Sequence, residues 1–372
     1  MKKLGFGLMR LPLTNPDDAS SIDIKLFEKM VDVFIDKGFS YFDTAYVYHN
    51  GFSEKAAKAA IVKRYSRDKF LLADKMPLWN LEKHSDHEKI FNEQLDRCGV
   101  EYFDNYMLHN ISLDSYQKAS TLGSFDFILD KKQKGLIRKA GFSFHYNSEL
   151  LEKVLNEYNE IDFVQLQINY LDWENDSIQS RKCYETAMKY GKEIIVMEPV
   201  KGGTLAKVPT KAEEIFKNFS PALSVPSWAV RYAASLKGVS TVLSGMSDLN
   251  QINDNTSYME NFTPLNEKEY SIINEVKGII MSNVAIQCTS CQYCVDFCHA
   301  NIPIPKYFAL FNNKKQVGEL KFYVQDQYYK DYTKTYGKAS DCTSCGSCQK
   351  HCPQMLKIPE LMKDVAALFE NT

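Results

Sequence analysis

Nothing in these 372 residues approaches the run of about 20 apolar residues that a membrane span requires, so an integral membrane protein is not expected. The formal net charge of −2 offers no basic excess to the phosphates of nucleic acid. The opening Met1-Lys2-Lys3-Leu4 lacks the apolar stretch and cleavage site of a secretory signal, and a cytoplasmic protein is the expectation. Also missing is a dinucleotide fingerprint behind the first strand. Leu4-Gly5-Phe6-Gly7-Leu8-Met9 has only two of the required glycines and no helix directly after them, which argues against an open, doubly wound sheet. Cysteine is scarce outside one region: of the 10, only Cys98 and Cys183 precede residue 288, so no disulfide framework is expected.

The remaining cysteines form two copies of C-x2-C-x2-C-x3-C. One copy is Cys288, Cys291, Cys294 and Cys298, followed by His299; the other is Cys342, Cys345, Cys348 and Cys352, followed by Pro353. This is the spacing of bacterial ferredoxins with two [4Fe–4S] clusters, where the fourth cysteine of each run reaches across to the other cluster. On that rule Cys288, Cys291, Cys294 and Cys352 hold one cluster, and Cys342, Cys345, Cys348 and Cys298 hold the other. Structural zinc and disulfides are the competing readings, but zinc normally takes separated cysteine pairs and not an unbroken short run. The long gap between Cys298 and Cys342 predicts an inserted helical segment around Tyr307 to Tyr336.

Before this region, short runs rich in β-branched and aromatic residues alternate with segments of helical period. Strands are predicted at Leu4 to Met9, Tyr41 to Ala45, Phe70 to Lys75, Tyr102 to His109, Ile137 to Ser143, Phe163 to Asn169, Glu193 to Glu198 and Thr241 to Gly245. Helices are predicted at Lys25 to Lys37, Ser53 to Lys63, Asp86 to Cys98, Tyr116 to Lys134, Ser148 to Tyr158, Ser177 to Tyr190, Trp228 to Leu236 and Asp248 to Tyr258. Strict alternation implies a parallel sheet, and eight such units fit a closed (β/α)8 TIM barrel. The expected organisation is an α/β barrel over residues 1–262, then a smaller, α-rich, ferredoxin-like domain over 263–372.

Chemistry in such a barrel sits at the C-terminal ends of the strands. Three consecutive strands there deliver Asp43 with Tyr48, then Lys75, then His109. Each has a bland reading alone: a helix cap, half-buried packing, a surface charge, a satisfied core histidine. Together, and with the wording Asp43-Thr44-Ala45, they resemble the catalytic tetrad of the aldo/keto reductase family. With the cysteine domain, the chain resembles the bacterial subgroup that carries a ferredoxin-like tail.

The resemblance implies a TIM-barrel oxidoreductase that reduces an aldehyde or ketone with NADPH or NADH. Tyr48 would be the general acid, Asp43 and Lys75 the partners that lower its pKa, and His109 a neutral donor orienting the carbonyl. Ser143 in Gly141-Phe142-Ser143 and Gln165 would touch the nicotinamide carboxamide. Glu198-Pro199-Val200-Lys201-Gly202-Gly203 resembles the loop over the pyrophosphate. Ser244, Gly245 and Met246, with Gln251 and Asn255, resemble the segment gripping adenosine.

Three departures from the pattern stand out: Met197 where many members stack an aromatic ring on the nicotinamide, followed by Glu198 in place of a small polar residue; Phe144 where asparagine is common; and Gly245 with Gln251 where NADPH-preferring members place a lysine and an arginine. The substrate loops contain Trp79 and Ile111 and imply an apolar wall. Two function classes stand: a nicotinamide-dependent carbonyl reductase with an appended Fe–S domain, or an electron-transfer protein on a barrel scaffold, fed through the clusters. The expected partners are a small carbonyl substrate and an electron-transfer protein. A flavin, needed to couple one-electron clusters to hydride, has no visible motif.

Overall fold

The computed structural model describes every residue except 1, 176–177, 283, 289, 291, 293, 317–322, 353 and 371–372. Its strands are β1 (Leu4–Gly7), β2 (Tyr41–Asp43), β3 (Leu71–Met76), β4 (Phe103–Ile111), β5 (Ile137–Phe144), β6 (Phe163–Gln167), β7 (Glu193–Met197) and β8 (Val239–Gly245). All neighbours pair in parallel and β8 returns to β1, closing the barrel in sequence order. Because strand side chains alternate, one set fills the barrel axis: Tyr41, Ala73, Met107, Phe163, Ile195 and Leu243 make that inner cluster. Gly141 stands opposite Phe163, where a Cβ would lie 2.5 Å from ring carbons, so only glycine admits the ring.

The outer layer is built from α1 (Ile24–Asp36), α2 (Ser53–Ala57), α3 (Ser85–Cys98), α4 (Leu113–Thr121), α5 (Ser124–Gln133), α6 (Ser148–Glu157), α7 (Ser180–Lys189), α8 (Thr210–Phe219), α9 (Val225–Ser235) and α10 (Leu249–Met259). In α1 the side chain of Asp23 accepts from the Leu26 N–H and caps the start, and Phe27, Met30, Val31 and Phe34 bury one stripe. The helix expected over Tyr116 to Lys134 is two helices, α4 and α5, because Gly123 takes a left-handed turn at φ 68. A second departure from strict alternation is α8, which lies between β7 and α9 and is covered by α11 (Glu267–Ser282). The Arg231–Glu269 ion pair at 2.6 Å ties α11 to α9.

Beyond α11 come α12 (Ile304–Gln316), α13 (Val324–Tyr332), α14 (Ser347–Lys350) and α15 (Ile358–Phe369). The expected insertion is therefore the pair α12 and α13; residues 317–322 lie outside the described residues. The two cysteine loops share a backbone design. Ser290 and Ser344 take positive φ of 56 each, Gln292 and Gly346 take 68 and 72, and Asn301 and Met355 take 51 and 52. Each loop then enters a helix at an Ile-Pro pair, Ile304-Pro305 or Ile358-Pro359. Such curled loops turn successive N–H groups inward, the arrangement that favours anionic centres.

The cap formed by α12 and α13 docks on the barrel's C-terminal face. Asn313 of α12 accepts from Lys201 Nζ at 2.5 Å and donates to Asp172 Oδ1 at 3.1 Å, in a buried cluster with the Lys201–Asp172 ion pair. Among the described residues no helix is long and apolar enough to cross a membrane.

Candidate active site and cysteine cavities

Asp43 ends β2 and Lys75 is the penultimate residue of β3, so adjacent parallel strands bring them together. Lys75 Nζ donates to Asp43 Oδ1 at 2.5 Å and to the Thr44 carbonyl at 2.6 Å, with both side chains of the ion pair buried. Tyr48 opens the turn after β2, and Lys75 Nζ lies 4.7 Å from its ring centroid. His109 approaches Tyr48 edge-on, with centroids 6.0 Å apart, and the Trp79 ring lies 5.0 Å from its own. The four tetrad candidates thus converge on one mouth.

The electrostatics follow from burial. Burial pulls the Lys75 ammonium down, but Asp43 and Tyr48 outweigh it and hold the lysine above its ordinary value, hence charged. Burial raises the Asp43 carboxyl against the opposing Lys75. Burial, aided by Lys75 and His145, drives the His109 imidazole well below its usual range, so it is neutral. Tyr48 corrects the expectation drawn from the chemistry. Lys75 pulls its hydroxyl down, but burial pushes harder and the net direction is up.

The cofactor candidates are spread more unevenly. Ser143 Oγ accepts from the Asn110 N–H at 2.7 Å, at the irregularity that ends β4. Gln165 points inward and donates to Asp43 Oδ2 at 3.4 Å. Met197 ends β7; Glu198 follows with φ 54, its carboxyl pushed up by burial against Lys201, and Gly202 and Gly203 turn the loop with φ of 63 and 105. Ser244 accepts from Asn255 Nδ2 at 2.9 Å, so these two are brought together under β8. The Met246 side chain is buried in the core. Gly245 and Gln251 are exposed; Gln251 accepts from the Ser247 N–H and donates to Asp248.

Several rim residues had no sequence signal. Gln167 shares the inward face of Phe163 and Gln165, one layer nearer the mouth, and is 4% exposed with neither its amide nitrogen nor its oxygen partnered. His145 follows β5 with Nδ1 unpartnered, burial holding its imidazole down to about 4, and Tyr328 of α13 covers it with centroids 6.4 Å apart. Arg10 lies over Gly245 at the β1–β8 seam. A buried amide missing both donor and acceptor fits a ligand carrying both, as a carboxamide does.

The cysteines gather into two neighbouring cavities. Cys288, Cys294 and Cys352 line one with Ile304, Phe308 and Leu356. Cys298, Cys342, Cys345 and Cys348 line the other with Ile302 and Met362. Cys291 lies outside the described residues. Burial and the three neighbouring thiols push Cys348 up to about 11, a donor set that favours a cation binding between them. Cys98 and Cys183 are buried in the barrel's helical layer, far from this arrangement in sequence, where Cys98 Sγ donates to Asp74 Oδ2 at 3.6 Å and Cys183 Sγ to the Tyr146 carbonyl at 3.7 Å.

Comparison with known proteins agrees with this division. Residues 287–357 match the model of the 4Fe-4S dicluster domain. An uncharacterized oxidoreductase of Bacillus subtilis, YqkF, is 23% identical over 289 residues, covering 68% of this chain and 86% of its own. An aldo-keto reductase of Mycolicibacterium paratuberculosis is 28% identical over 141 residues, 37% of this chain; the chain spans 46% of that relative's length. The holo form of aldo-keto reductase AKR11C1 from Bacillus halodurans superposes with TM-score 0.58 at 23% identity, covering 74% of this chain and 91% of that one. An aldo/keto reductase from Klebsiella pneumoniae, solved with NADP and acetate, gives 0.60 at 18% identity, with 74% and 91% covered. Residues 3–277 match the model of the aldo/keto reductase family, and since that span takes in every strand of the barrel and enters α11, the chain belongs to that family.

Proposed function

We propose that the protein reduces an aldehyde or ketone with hydride from NADPH or NADH, Tyr48 serving as proton donor, and that its C-terminal region holds two [4Fe–4S] clusters. The observation that carries the reading is the buried Asp43–Lys75 pair beneath Tyr48, facing a neutral His109 across one mouth. Bound nicotinamide would supply the hydride. A carbonyl accepting hydride gathers negative charge on oxygen, and Tyr48 offers that oxygen a proton. Lys75, kept charged by Asp43, stabilises the tyrosinate left behind. Neutral His109 orients the carbonyl by donating to its oxygen. Gln167 and Ser143 are the side chains best suited to the carboxamide, and Arg10 is a cation at the adenosine end of the seam.

For the clusters, the crossed grouping of the described cysteines supports Cys288, Cys294 and Cys352, with Cys291, on one centre and Cys298, Cys342, Cys345 and Cys348 on the other. We place the barrel unit at 1–262 and the cluster unit at 263–372, with α11 as the strap between them. A cytoplasmic location suits thiolate-bound clusters. The second reading, electron entry from a partner protein through the clusters, is favoured by the exposure of Cys345 at the edge of its cavity. Fluorescence titration of the anaerobic protein with NADPH and NADH, followed by a carbonyl panel, separates the two. Saturable binding with turnover supports the reductase, and no binding of either nucleotide removes it.

A further inference from the structure

Behind the mouth, strand alternation turns Lys75 toward the barrel axis and Asp74 outward, into the layer between β3, α2 and α3. There Asp74, Glu54 and Cys98 are all fully buried, and one oxygen or sulfur of each lies within 4.8 Å of the others. Asp74 Oδ1 accepts from the Lys75 backbone N–H at 2.8 Å, and Cys98 Sγ donates to Asp74 Oδ2 at 3.6 Å. Glu54 Oε2 pairs with Arg97 at 3.1 Å, whereas Glu54 Oε1, equally buried, has no partner.

The charges do not balance if both carboxyls are ionised. Arg97 answers Glu54 and is shared with Glu93, while the Lys75 ammonium points away, to Asp43 and the Thr44 carbonyl. A second buried carboxylate would have no cation of its own, which low-dielectric surroundings penalise heavily. A proton on Asp74 removes that penalty and supplies the contact that Glu54 Oε1 lacks. We propose that Asp74 is held as a neutral carboxylic acid donating from Oδ2 to Glu54 Oε1, and that this shared proton makes Asp74 and Glu54 positioning residues for Lys75.

The remaining groups facing the pair agree. Burial and then Glu54 push the Asp74 carboxyl well above its ordinary range, and burial keeps the Cys98 thiol and the Tyr106 hydroxyl neutral. Tyr106 donates to Gln94, and Gln94 Nε2 holds the Lys75 carbonyl at 3.0 Å. The Lys75 peptide is therefore gripped at its N–H by Asp74 and at its C=O by Gln94. Lys58, whose ammonium donates to the Asp96 carbonyl, acts on the Cys98 thiol in the opposite direction to burial. The guanidinium of Arg97 on Glu54 opposes a metal ion at the triad. With Asp74 neutral, Lys75 is balanced by Asp43 alone and remains available to Tyr48; an ionised Asp74 would hold the Tyr48 proton more tightly.

This inference rests on the reading of Lys75 and Tyr48 as a proton-donor pair, and its test is spectroscopic so that the two can fail separately. Infrared difference spectra of the full-chain, cluster-loaded protein at neutral pH, wild type minus Asp74→Asn, should contain one protonated carboxyl C=O band that moves on exchange into D2O. No such band overturns the proposal. Asp74→Asn keeps an acceptor for the Lys75 N–H and a donor for Glu54, so the alkaline limb of carbonyl reduction stays in place. Glu54→Gln offers Asp74 an amide in place of an anion; Asp74 then ionises, the band disappears and the limb moves up. A limb displaced as far in Asp74→Asn as in Glu54→Gln overturns the positioning role. If Glu54→Gln does not fold, the Asp74→Asn spectrum still decides, and failure of Tyr48→Phe to slow reduction would sink the parent reading without touching the band.

Discussion

Lys75→Met is the substitution with the most informative consequence, because it removes charge while keeping length and apolar stem. Lys75 Nζ lies 4.7 Å from the Tyr48 ring centroid, and at an effective dielectric constant near 20 two unit charges about 5 Å apart interact by about 3 kcal/mol, so the ammonium strongly favours the tyrosinate. Burial already holds the Tyr48 hydroxyl above its ordinary value, and the ammonium is what limits the rise. Its loss moves the tyrosine further up. Asp43, left buried without its cation, takes up a proton and adds no compensating field. In steady-state reduction at saturating nucleotide, the alkaline limb that reports Tyr48 deprotonation should move up or leave the assayable range, and the plateau should fall at least about tenfold as the acid weakens. A limb at the wild-type pH, with an unchanged plateau, would refute the claim that Lys75 acts on Tyr48.

Tyr48→Phe should keep nucleotide binding, measured by fluorescence titration, and lose about 10²-fold or more in carbonyl reduction, the usual worth of a general acid. Cys98→Ser and Cys183→Ser should leave iron content, measured by metal analysis, at the wild-type value, since both thiols are buried in the barrel's helical layer; iron loss in either would break the ligand assignment. Asn313→Leu strips a hydrogen-bond partner from both Lys201 and Asp172 in a fully buried cluster. It should cost about 2–3 kcal/mol in thermal or chemical unfolding, the range for bonds to buried charges, and an unchanged midpoint would show that the cap is not anchored there.

The barrel was readable in the sequence because its strands are short β-branched and aromatic runs whose period differs from that of the intervening helices, and all eight strands formed near the expected residues. α8 was not, because Thr210–Phe219 falls between β7 and α9, where strict alternation leaves no place for a second helix. The split at Gly123 turned on one left-handed residue within an otherwise continuous helical pattern. In the site, Asp43, Lys75 and His109 were legible because strand ends in a barrel share one rim. Gln167 and His145 were not, since what singles them out is an absence of partners that only the folded chain reveals. The direction of the Tyr48 shift was likewise hidden: the residue types name Lys75 as a neighbour but not the burial that outweighs it. Asp172, Lys201 and Asn313 come from three separate segments, and no local pattern joins them.

The central claim is that hydride reaches the substrate from nicotinamide bound at the barrel mouth and not as electrons through the clusters. Anaerobic single-turnover reduction with NADPH deuterated at the transferable position of its C4, in ordinary water, tests this directly. The account predicts a product alcohol with deuterium on the former carbonyl carbon and one nucleotide oxidised per product. A product free of deuterium, formed while the clusters are oxidised and the nucleotide is not, would contradict it.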